Sequence, residues 1–150
     1  MLLDLLLAIA HHLLMFALVV VLVIEMVAIR PGMPAARILR LSRLDLVFGM
    51  VAGLILVVGF ARVFFGLKGP SFYLDNPVFW AKIGTFLAIG VLSLQPTRRL
   101  IAWRAAARGS SDYTPPAAEI RNVRQFMHLE ATLFVLIPVF AALMARGYGL

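Results

Sequence analysis

The sequence contains no cysteine. This excludes disulfides, thiolate zinc sites, iron–sulfur clusters and the Cys-x-x-Cys-His attachment of c-type haem. Charge is also scarce, at 14% of 150 residues against about 25% in an ordinary soluble domain. His-Glu-x-x-His, Gly-x-Ser-x-Gly and a phosphate-binding glycine loop are missing too, which removes common hydrolase and nucleotide signatures. Any metal or haem must be held by His, Met, carboxylate or another non-thiolate group.

What the chain has in abundance is hydrocarbon. Hydrophobic residues make up 63%, where soluble proteins have about 45–50%. They form four runs, and a bilayer core of about 30 Å needs about 20 helical residues. Residues 2–29, 44–65, 78–94 and 126–145 meet that length. The expected fold is all-α: an integral membrane four-helix bundle in which residues 1–150 make a single domain. The first run opens with Asp4 instead of a basic region and lacks a small-residue cleavage site, so it reads as a span and not a signal peptide.

Punctuation supports these windows. Pro31 and Pro34 close the first helix, and Asp45 falls in the first turn of the second, where a carboxylate complements the helix dipole. Asn76-Pro77 is a cap followed by a helix start, and Gln95-Pro96 ends the third span. Residues 98–108 then read as a helical extension past the membrane surface, with Trp103 in the interfacial zone.

The net charge of +7 is distributed as a topology signal and does not indicate nucleic acid. Arg30, Arg37, Arg40 and Arg43 occupy the first connection, and Arg98, Arg99, Arg104, Arg108, Arg121 and Arg124 the third, while the second has only Lys68. The positive-inside rule makes the first and third connections cytoplasmic and puts both termini on the outer, periplasmic side. The basic connections would meet anionic lipid head groups.

Ionisable residues inside the spans cost roughly 2.5–3.5 kcal/mol each on insertion scales, so they usually face the protein interior and mark a site. Asp4, His11, Leu18 and Glu25 recur every seven residues and form one stripe of helix one. His12 lies about 100° from His11, so the two imidazoles cannot both point straight at one ligand. In helix three, Lys82, Thr85, Ile89 and Ser93 share a face. In the last helix Gln125, His128 and Thr132 share one, Glu130 points elsewhere and Pro138 introduces a kink. Gly49 and Gly53 make a small-xxx-small pair suited to close helix approach, and Gly59 and Gly66 flank Arg62 and leave room for a bulky neighbour.

Depth divides this set in two. Arg62 and Lys82 lie about one turn below the outer surface with His11 and His12 somewhat deeper, while Glu25, Arg43, Asp45, His128 and Glu130 form an inner mixed-charge cluster. Ion pairs, such as Arg43 with Asp45 or Glu25, or His128 with a carboxylate, would explain the inner cluster. Snorkelling would explain Arg62 and Lys82, but it does not explain the histidines. Imidazole is a metal and haem ligand. A b-type haem or related porphyrin makes coherent use of the outer set: His11 or His12 on the iron and Arg62 with Lys82 on the propionates, with a five-coordinate iron, Met15 as a second ligand or a haem shared across a dimer all open. Met15, Phe16, Phe60, Phe64 and Phe86 would supply the apolar wall, and Gly59 and Gly66 would admit the ring edge. His128 lies about 10 Å or more away in depth. The rival readings are a non-catalytic accessory or assembly subunit and a small-molecule or ion carrier; a homodimer or larger membrane complex stays open.

Arg43-Leu-Asp45, Gly49, Gly59, Arg62, Lys68-Gly69, Phe72-Tyr73-Leu74, Asn76-Pro77, Phe79-Trp80 and Lys82, with His11-His12 and Met144-Ala-Arg-Gly147, carry a resemblance covering nearly the whole chain. On these residues the chain resembles a family of uncharacterised bacterial four-helix membrane proteins, which implies a multi-pass protein of the bacterial cytoplasmic (inner) membrane. More distantly it resembles the J-type protoporphyrinogen oxidases, small four-helix membrane proteins that bind b-type haem. Their helix-one histidine and helix-three lysine correspond by position to His11 or His12 and to Lys82. Helix one continues here as Phe16-Ala-Leu-Val, where those enzymes are rich in tryptophan and glycine. The resemblance implies a haem cofactor and an oxidoreductase role.

Overall fold

In lipid the backbone has only itself to bond to, so a chain with four long apolar stretches folds as helices. The computed structural model describes residues 1–149 and is all-helical. The helices are α1 (Leu2–Ala28), α2 (Ala35–Phe65), α3 (Gly69–Leu74), α4 (Pro77–Gly109), α5 (Ala117–Phe134) and α6 (Leu136–Ala145). Four stretches are long and apolar enough to cross a membrane: α1, α2, α4, and α5 with α6 taken together. Four passes bring both termini to one end of the bundle, here the terminus end; the arginine-rich connections lie at the other, the basic end.

Three boundaries differ from the sequence expectation, and each has a physical cause. α2 begins at Ala35 and α5 at Ala117, earlier than the apolar windows, because their first turns are amphipathic. Ile38, Leu41, Ile120 and Val123 are buried there while Arg40, Arg43 and Arg121 are exposed. Asp45 is therefore well inside α2 and serves no helix terminus. α4 passes straight through Pro96. Proline removes one backbone bond, and here its ring is buried within the helix's packed face. At about 1.5 Å per residue α4 is about 50 Å long, well beyond the hydrocarbon thickness.

The last span breaks at Val135, three residues before Pro138, which can give no N–H to Phe134. The break redirects α6. α1 packs on α2, α2 on α4, and α4 on both α5 and α6, and α5 closes the ring against α1. No backbone of α6 comes within 8 Å of α1. The bundle is closed toward the basic end and split between α1 and α6 toward the terminus end.

The core divides in the same way. The larger apolar cluster runs from Ile55 and Ile137 to Leu100, Trp103 and Ile120 at the basic end. A small one, Val63, Phe79 and Met144, sits under α3 at the terminus end. Asn76 fixes that end: its Oδ1 accepts from Val78 N at 2.8 Å, capping α4 as the sequence implies, and its Nδ2 donates to the Tyr148 carbonyl at 3.1 Å. Gly32, at φ 73°, makes the tight turn between α1 and α2.

Candidate functional site

The two apolar clusters do not meet, and a cavity of about 60 Å³ lies between them. Ile55 and Ile137 border it from one side and Val63 and Phe79 from the other, with His11, Met15, Arg62, Tyr73 and Lys82 completing its wall. The heptad stripe of α1 does face inward. Leu18 and Glu25 are buried and His11 is half-buried. The edge of the imidazole lies against Gly59, where a side-chain carbon would stand 3.3 Å from His11 Cε1 and 3.6 Å from Nδ1. His11 Nδ1 is buried without a hydrogen-bond partner.

Arg62 and Lys82 stand close enough to His11 to act on its charge, and Arg62 on that of Lys82. Arg62 Nε is buried and unpartnered. Asp4, the nearby carboxylate, accepts from Leu67 N at 3.3 Å. Among the described residues the one ion pair is Arg99 with Glu119, at 3.3 Å and far from here. The two cations thus border a small apolar cavity without an ion pair, and Asp4, close enough to act on Tyr73 as Arg62 does, is engaged with the backbone. Tyr73, on α3 outside the spans, adds a phenol whose pKa burial raises above 10.0, with Arg62 opposing and Asp4 adding to the rise.

The cavity continues sideways. A groove of about 470 Å³ between α1 and α6 reaches the same His11, Met15, Arg62, Lys82 and Ile137, and is bordered by Phe16, Val19, Phe134, Ala141 and Ala142. His12 lies at its rim, exposed, with Nδ1 2.6 Å from the Ala8 carbonyl. Its ring is perpendicular to that of His11 at 6.3 Å. His11 is therefore the inward histidine, and the two do not aim at one point. Met15 borders both spaces, and Phe60 and Phe86 line the cavity. Phe64 is 55% exposed and points elsewhere. Gly59 admits the His11 ring, not a ligand, and Gly66 closes against Asp4 and the Arg62 carbonyl. Gly49 and Gly53 face outward with open space before them. Gly49 borders a groove shared with Ile89 and Gly90 of α4.

The inner polar set also changes on folding. Glu25 is 2% and Glu130 1% exposed, and each has an unpartnered Oε1. Asp45 accepts from Thr97 Oγ1 at 2.8 Å. The three carboxyls, from α1, α2 and α5, are close enough to act on one another. Arg43 is exposed and His128 is exposed with its Nδ1 at the Arg124 carbonyl, so neither pairs with a carboxylate. The ion-pair expectation fails because Arg43 precedes Asp45 by two residues, about 200° round the helix. Arg124 instead donates to the carbonyls of Met26 at 2.9 Å and Ile29 at 2.8 Å, capping α1. Among the described residues no group of three or more His, Asp or Glu is placed to hold a metal ion.

Sequence reasoning passed over Tyr73, Ile137, Ala141 and Ala142, which border the cavity or the groove. Tyr73 entered only among the residues that carry the family resemblance, and the alanines gave no signal in the sequence. Comparison with curated proteins and with solved structures gives no match. Residues 3–149 match the family described as "Predicted membrane protein (DUF2214)", and since that is nearly the whole chain, the protein belongs to this family of predicted membrane proteins.

Proposed function

We propose that the chain binds an amphipathic anion within the membrane, b-type haem or a related porphyrin being the ligand that uses every member of the site, in a redox or porphyrin-handling role. The observation that carries this reading is the set of two uncompensated cations and a buried imidazole around one cavity that opens into an apolar groove. His11 Nδ1 and Arg62 Nε are buried without partners, which is costly for a donor, so with Lys82 beside them the site is poised for an anionic partner.

The cavity alone cannot hold a porphyrin. Sites for ligands of that size run to about 300–1,000 Å³, and the enclosed space is about 60 Å³. The groove, at about 470 Å³, is of the right order, and the donor set fits. His11 would hold the iron, Met15 lies beside it, and Arg62 and Lys82 would meet the propionates. Bound haem would supply an iron able to change oxidation state. The chain's residues supply orientation, charge neutralisation and a wall that excludes water.

The test is the absorption spectrum of detergent-purified protein titrated with haemin. A one-to-one haem spectrum lost in His11→Ala and retained in His12→Ala is expected, with affinity at least about tenfold lower in Arg62→Met or Lys82→Met. A featureless titration, or a spectrum indifferent to His11, would overturn the haem assignment.

A second reading, an assembly subunit, rests on the polar outward face of α5. Gln125, His128 and Thr132 border a groove with Arg121 and Arg124, and a polar face suits a partner helix better than lipid. Cross-linking from that face in native membranes, to a second copy or another subunit, tests it.

A further inference from the structure

We propose that the split between α1 and α6 is a lateral port through which the ligand passes from the bilayer, head group first, so that its apolar body stays in the groove. This rests on the reading that Arg62, Lys82 and His11 bind an anionic amphiphile. It adds a route and an orientation which that reading does not require.

Three observations point there. The groove lies along membrane-spanning helices, bordered by Phe16 and Val19 on one side and Phe134 and Ile137 on the other. It therefore opens to lipid tails and not to water. The side chains at its floor are those of the enclosed cavity, so one path connects lipid to the unpartnered donors. α6 is held away from α1 by the break at Val135 and Pro138, and its Ala141 and Ala142 carry too little bulk to fill the gap. A groove of about 440 Å³ between α2 and α4 reaches Asp45 and Thr97 but neither cation, so the path to Arg62 and Lys82 runs between α1 and α6.

Charge fixes the occupant's direction. The cations sit at the closed end and the apolar rim at the open end. A molecule with a carboxylate at one end and a hydrocarbon body meets both demands; a porphyrin with propionates on one edge does so too. The port reaches from mid-membrane toward the terminus side, because α1 residues 11–19 straddle the middle of that helix and Ala141 and Ala142 lie toward the terminus end of α6.

The full chain reconstituted in phosphatidylcholine vesicles containing a photoactivatable, diazirine-bearing fatty acid tests this directly. Irradiation should place adducts on α1 and α6 beside the groove. They should fall at least about tenfold in Ala142→Trp, which fills the gap, and in the Arg62→Met/Lys82→Met double variant, but not in Val57→Trp on the opposite lipid-facing surface. Ala141→Leu serves as the milder block if the tryptophan disturbs folding. Adducts spread evenly over all lipid-facing helices, or unchanged by both blocks, would overturn the port.

Haemin delivered from the same vesicles separates the two claims. A haem spectrum that forms in Ala142→Trp at the wild-type rate overturns the port and keeps the binding site. Groove-specific adducts without any haem spectrum keep the port and remove haem.

Discussion

The two halves of the bundle solve the problem of buried charge in opposite ways. Toward the terminus end, basic groups surround a space and the helices stand apart. Toward the basic end, Glu25 and Glu130 are buried within the ring of helices with Leu22 and Met127 in the same core, and Asp45 is half-buried beside them. One half leaves cations without ion pairs beside a cavity; the other buries Glu25 and Glu130 among packed side chains, while Asp45 borders a groove of about 440 Å³ with its carboxylate held by Thr97. The contrast teaches that an uncompensated charge in a membrane protein points to a ligand only where there is space beside it. Polar groups alone would have singled out both ends equally.

If the basic half carries the stability, its substitutions should dominate any unfolding measurement. Trp103 is 1% exposed, and its Nε1 donates to Glu119 Oε2 at 2.7 Å. Trp103→Ala should cost about 3–5 kcal/mol, the range for deleting a buried aromatic, read as a large fall in melting temperature in detergent. Arg124→Gln comes next. It removes two charge-assisted bonds to the last carbonyls of α1, each member of a class worth about 1.5–3 kcal/mol. A loss below that range would mean that water caps α1 as well. Should Lys82→Met destabilise as much as either, the division of labour between the halves is wrong.

The fold was largely legible in the sequence, because four long apolar runs in lipid admit few outcomes. The inward stripe of α1 was legible too, since Leu18 and Glu25 continue the seven-residue spacing begun at His11. What the sequence could not show was the direction of helix approach. The wall expected from Phe64 is absent because α2 turns that ring to lipid, and Gly59 proved to seat an imidazole instead of a ligand. Hydropathy also cut α2 and α5 short, since amphipathic first turns bury Ile38 and Ile120 without raising the average. His128 and Arg43 looked like partners for the carboxyls by depth; rotation about the helix axis took both away.

A smaller effect sharpens the comparison at the inner cluster. Three carboxyls lie together, and the hydrogen bond seen to them is the one Thr97 donates to Asp45. Glu130→Gln keeps the shape and introduces an amide donor within the cluster. Hydrogen bonds inside membrane bundles average about 0.6 kcal/mol, so stability should rise by about that much. Lys82→Met should change ligand uptake without such a gain. A marked destabilisation by Glu130→Gln would show that the cluster needs its third carboxyl, and the closed half would then be a site in its own right.

The smallest expected effect concerns Tyr73, which borders the cavity from outside the spans. Burial holds its phenol above 10.0, with Arg62 opposing. A proton bound more tightly in the folded state contributes stability that is full below the ordinary phenol pKa and is lost as pH rises through the folded value. The effect is thus invisible at neutral pH and confined to the region above about 10. Ultraviolet titration should show one tyrosine ionising late, missing in Tyr73→Phe. In Arg62→Met the same tyrosine should ionise later still, because the opposing charge is gone. Unchanged titration in Arg62→Met would place the guanidinium away from α3 and out of the cavity, removing from the open half one of the two cations that distinguish it.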